Sequence, residues 1–209
     1  MENKFVITIG RRCGSGGREI GEMLAKKLNV DFYDKEILTR ASELSGIRMK
    51  HFEKNDEKRP SSLLYSIATN SYNSYYYSTN PVTDTIASKV TNAQGKAIRS
   101  LADKGSCVMV GRCADYWLRD GYNIISVFIT ADEETCISNI MKRYDKNKKD
   151  AAEIVKKNNR ERAAFYNSQT DRKWGNAEHY DLCINTGKIN KENAVDIILE
   201  YMKSSNIIQ

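Results

Sequence analysis

The first thirty residues restrict the fold more than any other stretch of the chain. A β-rich apolar run, Phe5-Val6-Ile7-Thr8-Ile9, leads into Gly10-Arg11-Arg12-Cys13-Gly14-Ser15-Gly16-Gly17-Arg18-Glu19. An amphipathic helical pattern follows at once, with Ile20, Met23, Leu24 and Leu28 on one face. Strand, glycine loop and helix in that order can grip phosphate. Glycine backbone turns with positive φ and approaches an anion closely, while the free N–H groups and positive dipole end of the helix point at it. A standard phosphate loop reads G-x-x-x-x-G-K-[ST]. With Gly16 as its second glycine, Gly17 stands where the Lys belongs, Glu19 falls where a hydroxyl would follow, and Arg11 replaces the first glycine. The residues expected to hold phosphate are Gly14, Ser15, Gly16, Gly17, Arg18 and Glu19, with Arg18 supplying a guanidinium one position late. The alternative is a tight βα turn in which the glycines serve the backbone alone.

Further apolar runs read as strands at Val30–Tyr33, Cys107–Val110, Ile124–Thr130 and Leu182–Ile184. Helical faces lie between and after them: Ile137, Ile140, Met141 and Tyr144, then Ala194, Val195, Ile198, Leu199 and Met202. Strands alternating with helices imply parallel pairing through right-handed crossovers, hence a doubly wound α/β sheet that binds its ligand at the carboxyl ends of the strands. The glycine loop sits at such an end.

Two segments interrupt the alternation. Residues 48–80 turn from charged to Ser-, Asn- and Tyr-rich, with Tyr65, Tyr72, Tyr75, Tyr76 and Tyr77 crowded together. That composition builds little core of its own and suits an inserted substrate lobe, a dimer contact or a mobile loop. The second is basic: between Lys142 and Lys173 there are 11 Lys or Arg against 5 Asp or Glu, which accounts for the whole net charge of +6. An excess confined to one helical segment fits a lid over a polyphosphate better than a stripe along a duplex, the alternative being a solvated basic face. No apolar run reaches the roughly 18 residues of a membrane helix. The amino-terminal residues do not read as a signal peptide, and five cysteines without C-x-x-C spacing read as reduced thiols. These observations lead to the expectation of a cytoplasmic protein.

Five blocks, in order, resemble the cytidylate kinase-like branch of the P-loop nucleoside monophosphate kinases. They are Ile9–Gly21, Phe32–Glu36, Val110–Tyr116, Arg160 with Arg162 through Trp174-Gly175, and Tyr180–Thr186. The resemblance implies a three-layer P-loop NTPase fold with a doubly wound parallel five-stranded sheet, a helical lid and an inserted substrate-binding lobe. In those terms residues 1–209 are a single kinase-like domain. Its core would be 1–47, 81–141 and 176–209, its substrate lobe 48–80 and its lid 142–175. Position by position, Asp34 and Arg40 resemble the acceptor-site Asp and Arg. Gly111-Arg112 resembles the Gly-Arg whose Arg binds the monophosphate, and Arg160 and Arg162 resemble the paired lid arginines that clamp the transferring group. The family's Lys, hydroxyl and flanking acids are replaced by Gly17, Glu19, Val110 and Cys113.

What the resemblance implies is ATP-dependent phosphoryl transfer, with Arg18, Arg160 and Arg162 as the catalytic charges and Asp34, Arg40, Arg112 and Asp115 around the acceptor, a nucleoside monophosphate such as CMP or dCMP. The implied cofactors are ATP and Mg²⁺. The metal ligands are unassigned, Asp115, Glu19 and Asp34 being the acids that would take Mg²⁺ through water. The expected partners are small-molecule nucleotides, with no nucleic acid and no membrane, and a homodimer is left open. Other readings stand beside these. Arg112 can form a structural ion pair with Asp34 or Asp115, Arg160 and Arg162 can be surface helix charges, and Asp34 can cap a helix. At the level of the protein the alternatives are a nucleotide-binding regulator with a degenerate loop and a kinase of a non-nucleotide small molecule.

Overall fold

Period-two alternation in five short strands builds the middle layer of the fold. In a computed structural model, which describes residues 4–56 and 86–207, these are β1 (Val6–Arg11), β2 (Asp31–Tyr33), β3 (Cys107–Val110), β4 (Ile124–Thr130) and β5 (Leu182–Asn185). All pair in parallel in the order β2-β3-β1-β4-β5. Each expected strand is present. β1 runs two residues further than its apolar stretch because Gly10 and Arg11 continue the ladder against Phe128 and Ile129. The tyrosine cluster and most of the expected substrate lobe lie outside the described residues.

The strands send alternate side chains to two cores. Ile7, Ile9, Val108, Val110, Ile125, Val127 and Ile129 pack on one face against α1 (Gly17–Leu28) and the last helix, which contribute Ile20, Leu24, Val195 and Ile198. Val6, Cys107 and Met109 pack on the other face with Ile37, Ala41, Ile98 and Leu118. That second layer is α2 (Glu36–Ser45), α3 (Met49–Asn55), α4 (Ile86–Ala102) and α5 (Ala114–Leu118). Helices on both faces of a parallel sheet are the doubly wound, three-layer arrangement.

Local chemistry sets the remaining boundaries. α6 (Glu133–Tyr144) starts where the Asp132 side chain accepts from the Thr135 amide, and Asp145 in the left-handed region ends it. α7 (Lys148–Gln169) is capped by Asn147, and α8 (Lys191–Ser204) by Asn190. Removing such a cap costs about 1 kcal/mol. α7 buries only Ala151, Val155, Phe165 and Tyr166 along its 22 residues. A helix so polar on most sides is positioned by a few specific contacts rather than by a broad apolar face. Those contacts are with α6, with the glycine loop and with the turn after β3. All five cysteines are free thiols, and among the described residues no helix is long and apolar enough to cross a membrane.

Candidate functional site

Parallel register brings the ends of β1, β3 and β4 to one edge, and the site is assembled there. The Arg12 amide donates to the Ile129 carbonyl at 3.0 Å and the Gly111 amide to that of Ile9 at 3.0 Å, so both following loops start from fixed points. Gly14 and Gly16 have φ of +82° and +80°. A Cβ at Gly14 would lie 2.4 Å from the Cys136 carbonyl oxygen, so the loop and α6 touch backbone to backbone there. The buried Ser15 hydroxyl sits 2.9 Å from the Arg12 carbonyl and 3.0 Å from that of Ile129. Its side chain therefore braces the loop rather than facing the open cleft. The Thr186 hydroxyl, at the end of β5, lies 2.8 Å from the Ser15 carbonyl.

α1 begins at Gly17 with Gly16 as its N-cap, and no side chain caps it. The first-turn amides have no intrahelical partner and form, with the dipole, an anion-binding end. They open into a cleft of about 710 Å³ lined by Arg11, Arg12, Arg18, Arg112, Arg143 and Arg162, among other residues. That volume is in the range of small-molecule and cofactor sites. The carboxylates lining the cleft are each engaged by a guanidinium: Glu19 by Arg143, Glu22 by Arg18 at 2.7 Å, Asp34 by Arg112 and Arg18, and Asp56 by Arg112.

Arg112 lies at the centre of the network. Gly111, Arg112 and Cys113 have φ of +76°, +55° and +57°, and the Ala114 amide closes the turn onto the Gly111 carbonyl at 3.1 Å. This left-handed turn sends the Arg112 side chain, 2% exposed, back toward the end of β2. There Nη1 donates to Asp34 Oδ1 at 2.8 Å and to the Val110 carbonyl at 3.1 Å, while Nη2 donates to Asp56 Oδ2 at 3.0 Å. Arg18 Nε donates to the other Asp34 oxygen at 2.9 Å. Burial works to raise the Asp34 carboxyl, but the charge and hydrogen bond of Arg112, helped by Arg11 and Arg18, outweigh it and hold the group below the usual carboxylate range.

One face of α7 latches that helix to the glycine loop and to the turn after β3. Asn159 Oδ1 accepts from the Cys13 amide at 2.7 Å, Arg162 Nη1 donates to the Arg11 carbonyl at 3.1 Å, and the Tyr166 hydroxyl donates to Asp115 Oδ2 at 2.6 Å. Residues 159, 162 and 166 recur at i, i+3 and i+7, one stripe of a helix. Burial pushes the Asp115 carboxyl up, opposed by the Tyr166 hydrogen bond, and also pushes the Tyr166 and Tyr180 hydroxyls up. Between these groups and Arg162 is a cavity of about 20 Å³, walled by Phe165, Trp174 and Tyr180. It has room for one water.

The residues expected at the site divide by position. Gly14, Gly16, Gly17, Arg18, Glu19, Asp34, Arg112 and Arg162 line the cleft. Ser15 is buried behind it, and Asp115 lines the small cavity instead. Arg40 turns to α4, where Nη2 donates to the Ser100 hydroxyl at 3.0 Å, and to Glu43. Arg160 is on the exposed side of α7, away from the cleft lining. Arg143, Asp56 and Asn159 are site residues that sequence reasoning missed. Arg143 had a readable signal: it lies one turn past Ile140, on the face of α6 turned to the loop. Among the described residues no group of three or more His, Cys, Asp or Glu could hold a metal ion.

The sequence matches the family described as cytidylate kinase-like over residues 6–188. No curated protein matches it. Among solved structures, an uncharacterized protein from Eubacterium ventriosum is 29% identical with a TM-score of 0.71, the match covering 96% of this chain and 99% of that one. Shikimate kinase from Bacteroides thetaiotaomicron is 14% identical with a TM-score of 0.54, covering 96% and 99%. Shikimate kinase from Acinetobacter baumannii, solved with shikimate, is 13% identical with a TM-score of 0.53, covering 98% and 96%. At these identities the two shikimate kinases bear on fold alone.

Proposed function

The chain belongs to the cytidylate kinase-like family, and from that premise we propose that it transfers the γ-phosphoryl group of ATP to a small phosphate-bearing acceptor, a nucleoside monophosphate such as CMP or dCMP first. The observation that carries this reading is the uncapped start of α1 opening into a cleft of about 710 Å³ beside Arg11, Arg12, Arg143 and Arg162. Positive φ at Gly14 and Gly16 leaves the loop backbone free to approach an anion, so the residues present fit a nucleotide's phosphates.

When bound, Mg·ATP supplies the transferable phosphoryl group and part of the charge neutralisation. The loop from Gly14 to Arg18 binds the donor's phosphates through its amides. Arg162, with Arg143 opposite Glu19, offsets charge on the equatorial oxygens, and α7 excludes water by lying on the loop. Arg112 receives the acceptor's phosphate. No general base is needed, because that phosphate is already an oxyanion at neutral pH. With the cleft carboxylates engaged by guanidiniums, Mg²⁺ would be held mainly by phosphate oxygens and water. Glu19, whose Oε2 is buried and accepts no hydrogen bond, would be a protein acceptor for a water of that hydration shell.

The test is ADP release from Mg·ATP with a panel of nucleoside monophosphates and with shikimate, and Arg112→Ala alongside. Acceptor-dependent turnover lost in the variant supports the reading. Nucleotide binding with no turnover on any acceptor favours a regulator, a second reading motivated by glycine at the position of the loop Lys. Turnover on shikimate alone identifies a non-nucleotide acceptor.

A further inference from the structure

Two departures of the loop from the standard motif meet in space. That motif has glycine at position 11 and lysine at position 17, and this chain has Arg11 and Gly17. Gly17 is the first residue of α1 and, unlike Gly14 and Gly16, is not in the left-handed region, so its backbone would accept a side chain. Space excludes one. A Cβ at Gly17 would lie 2.6 Å from Arg11 Cβ, 3.2 Å from Arg11 Cγ and 3.3 Å from Ile129 Cβ. The first two side-chain carbons of Arg11 thus occupy the volume that a side chain at position 17 would need. Pairing of Arg11 with Ile129 at the end of the β1–β4 ladder holds them there.

Resting on the reading of the α1 start as the site of the donor's phosphates, we propose that Arg11 supplies the charge that lysine supplies in a standard loop, delivered from the last residue of β1 instead of the first turn of α1. Arg11 and Gly17 are then one exchange rather than two losses. Arg11 is half-buried and lines the cleft into which the α1 amides open. Its charge is felt inside that cleft, where it helps to hold the Asp34 carboxyl low. A guanidinium meets phosphate oxygens two at a time, where an ammonium acts as a point charge, so the exchange keeps the attraction and changes its geometry. Arg18 is the cation next to the missing lysine in sequence, but it is already on Glu22 and Asp34 and has half its side chain in water. The part of the ligand that Arg11 recognises is therefore the phosphate chain of a nucleoside di- or triphosphate.

The experiment is calorimetric titration of the full chain with ADP and with inorganic tripolyphosphate, melting temperatures being measured alongside. The proteins are the wild type, Arg11→Met, Arg160→Met, Gly17→Lys and the double variant Arg11→Gly with Gly17→Lys. Arg11→Met keeps the carbons that pack on Gly17 and removes the charge, so it is expected to weaken both ligands about tenfold or more at an unchanged melting temperature. Arg160→Met removes the same charge from the exposed side of α7 and should stay within about threefold. Gly17→Lys alone should lower the melting temperature by about 4 °C or more. Adding Arg11→Gly should restore the melting temperature and bring ADP affinity to within about threefold of the wild type. Unchanged ADP affinity in Arg11→Met overturns the proposal, as do equal losses in Arg11→Met and Arg160→Met, or a folded double variant that binds ADP no better than Arg11→Met. If the wild type binds neither ligand, the phosphate reading of the α1 start fails and the assignment of Arg11 with it. ADP binding that depends on Arg11, without turnover on any acceptor, supports the assignment while the kinase reading fails separately.

Discussion

Replacing Asp34 by Asn is expected to cost about 2–3 kcal/mol of stability at neutral pH. Its two guanidinium partners contribute unequally. Arg18 has 51% of its side chain in water, so its contact with Asp34 is worth at most about 1 kcal/mol. Arg112 is 2% exposed. Stranding a buried charge of that kind costs about 3–5 kcal/mol. Asp56 remains on Nη2 and an asparagine oxygen still accepts from Nη1, which together bring the loss below that range. The pH dependence carries its own sign. The folded carboxyl is depressed, so its stabilising contribution is fully present above the unfolded value of about 3.9 and is lost as pH falls through the lower folded value. Urea unfolding of wild type and Asp34→Asn across acid and neutral pH measures both quantities. The gap should hold down to about pH 4 and narrow only below it. A gap under about 0.5 kcal/mol at neutral pH would refute the buried-pair reasoning. A gap that closes well above pH 4 would refute the depressed carboxyl.

Three further outcomes are expected. Gly14→Ala forces a Cβ to 2.4 Å from the Cys136 carbonyl oxygen at a φ of +82°, so it should lose about 2–4 kcal/mol in the same melts. Arg162→Ala should lower turnover by about a hundredfold or more, whereas Arg160→Ala should stay within about threefold, because only Arg162 reaches the cleft; equal losses in steady-state assays would contradict the placement. Tyr166→Phe removes the donor to Asp115 and should cost about 1–3 kcal/mol, with faster amide exchange along α7 as the signature of a loosened helix.

Periodicity and apolar runs carried the fold because they report burial, which depends on neighbours in sequence. Val6 through Ile9 alternate between two cores, and a run such as Ile124–Thr130, buried on both sides, leaves few options besides a central parallel strand. The site was legible where the backbone makes it: Gly14 and Gly16 adopt the positive φ that their identity suggested. It was not legible where side chains choose among distant partners. Whether Arg112 meets Asp34, Asp115 or Asp56 depends on the left-handed turn at 111–113, and nothing local announces that turn with Arg and Cys in it. Arg160 and Arg162 are a partial exception. Two positions apart on a helix is about 200° of rotation, which already places them on opposite faces. Arg40 sits inside α2, where the Ser100 hydroxyl on a neighbouring helix was not foreseeable from spacing.

The left-handed run at Gly111, Arg112 and Cys113 sets the placement of one side chain against backbone stability. Each non-glycine residue in that region costs roughly 1–2 kcal/mol, and the chain bears it twice in succession to aim one guanidinium. Glycine at 113 would recover part of that energy, forfeit the packing of the buried Cys113 side chain against Phe165 and Tyr166, and unpin the turn that aims Arg112. On the proposed reading, a lineage that took glycine at this position would lose discrimination between acceptors before it lost the fold.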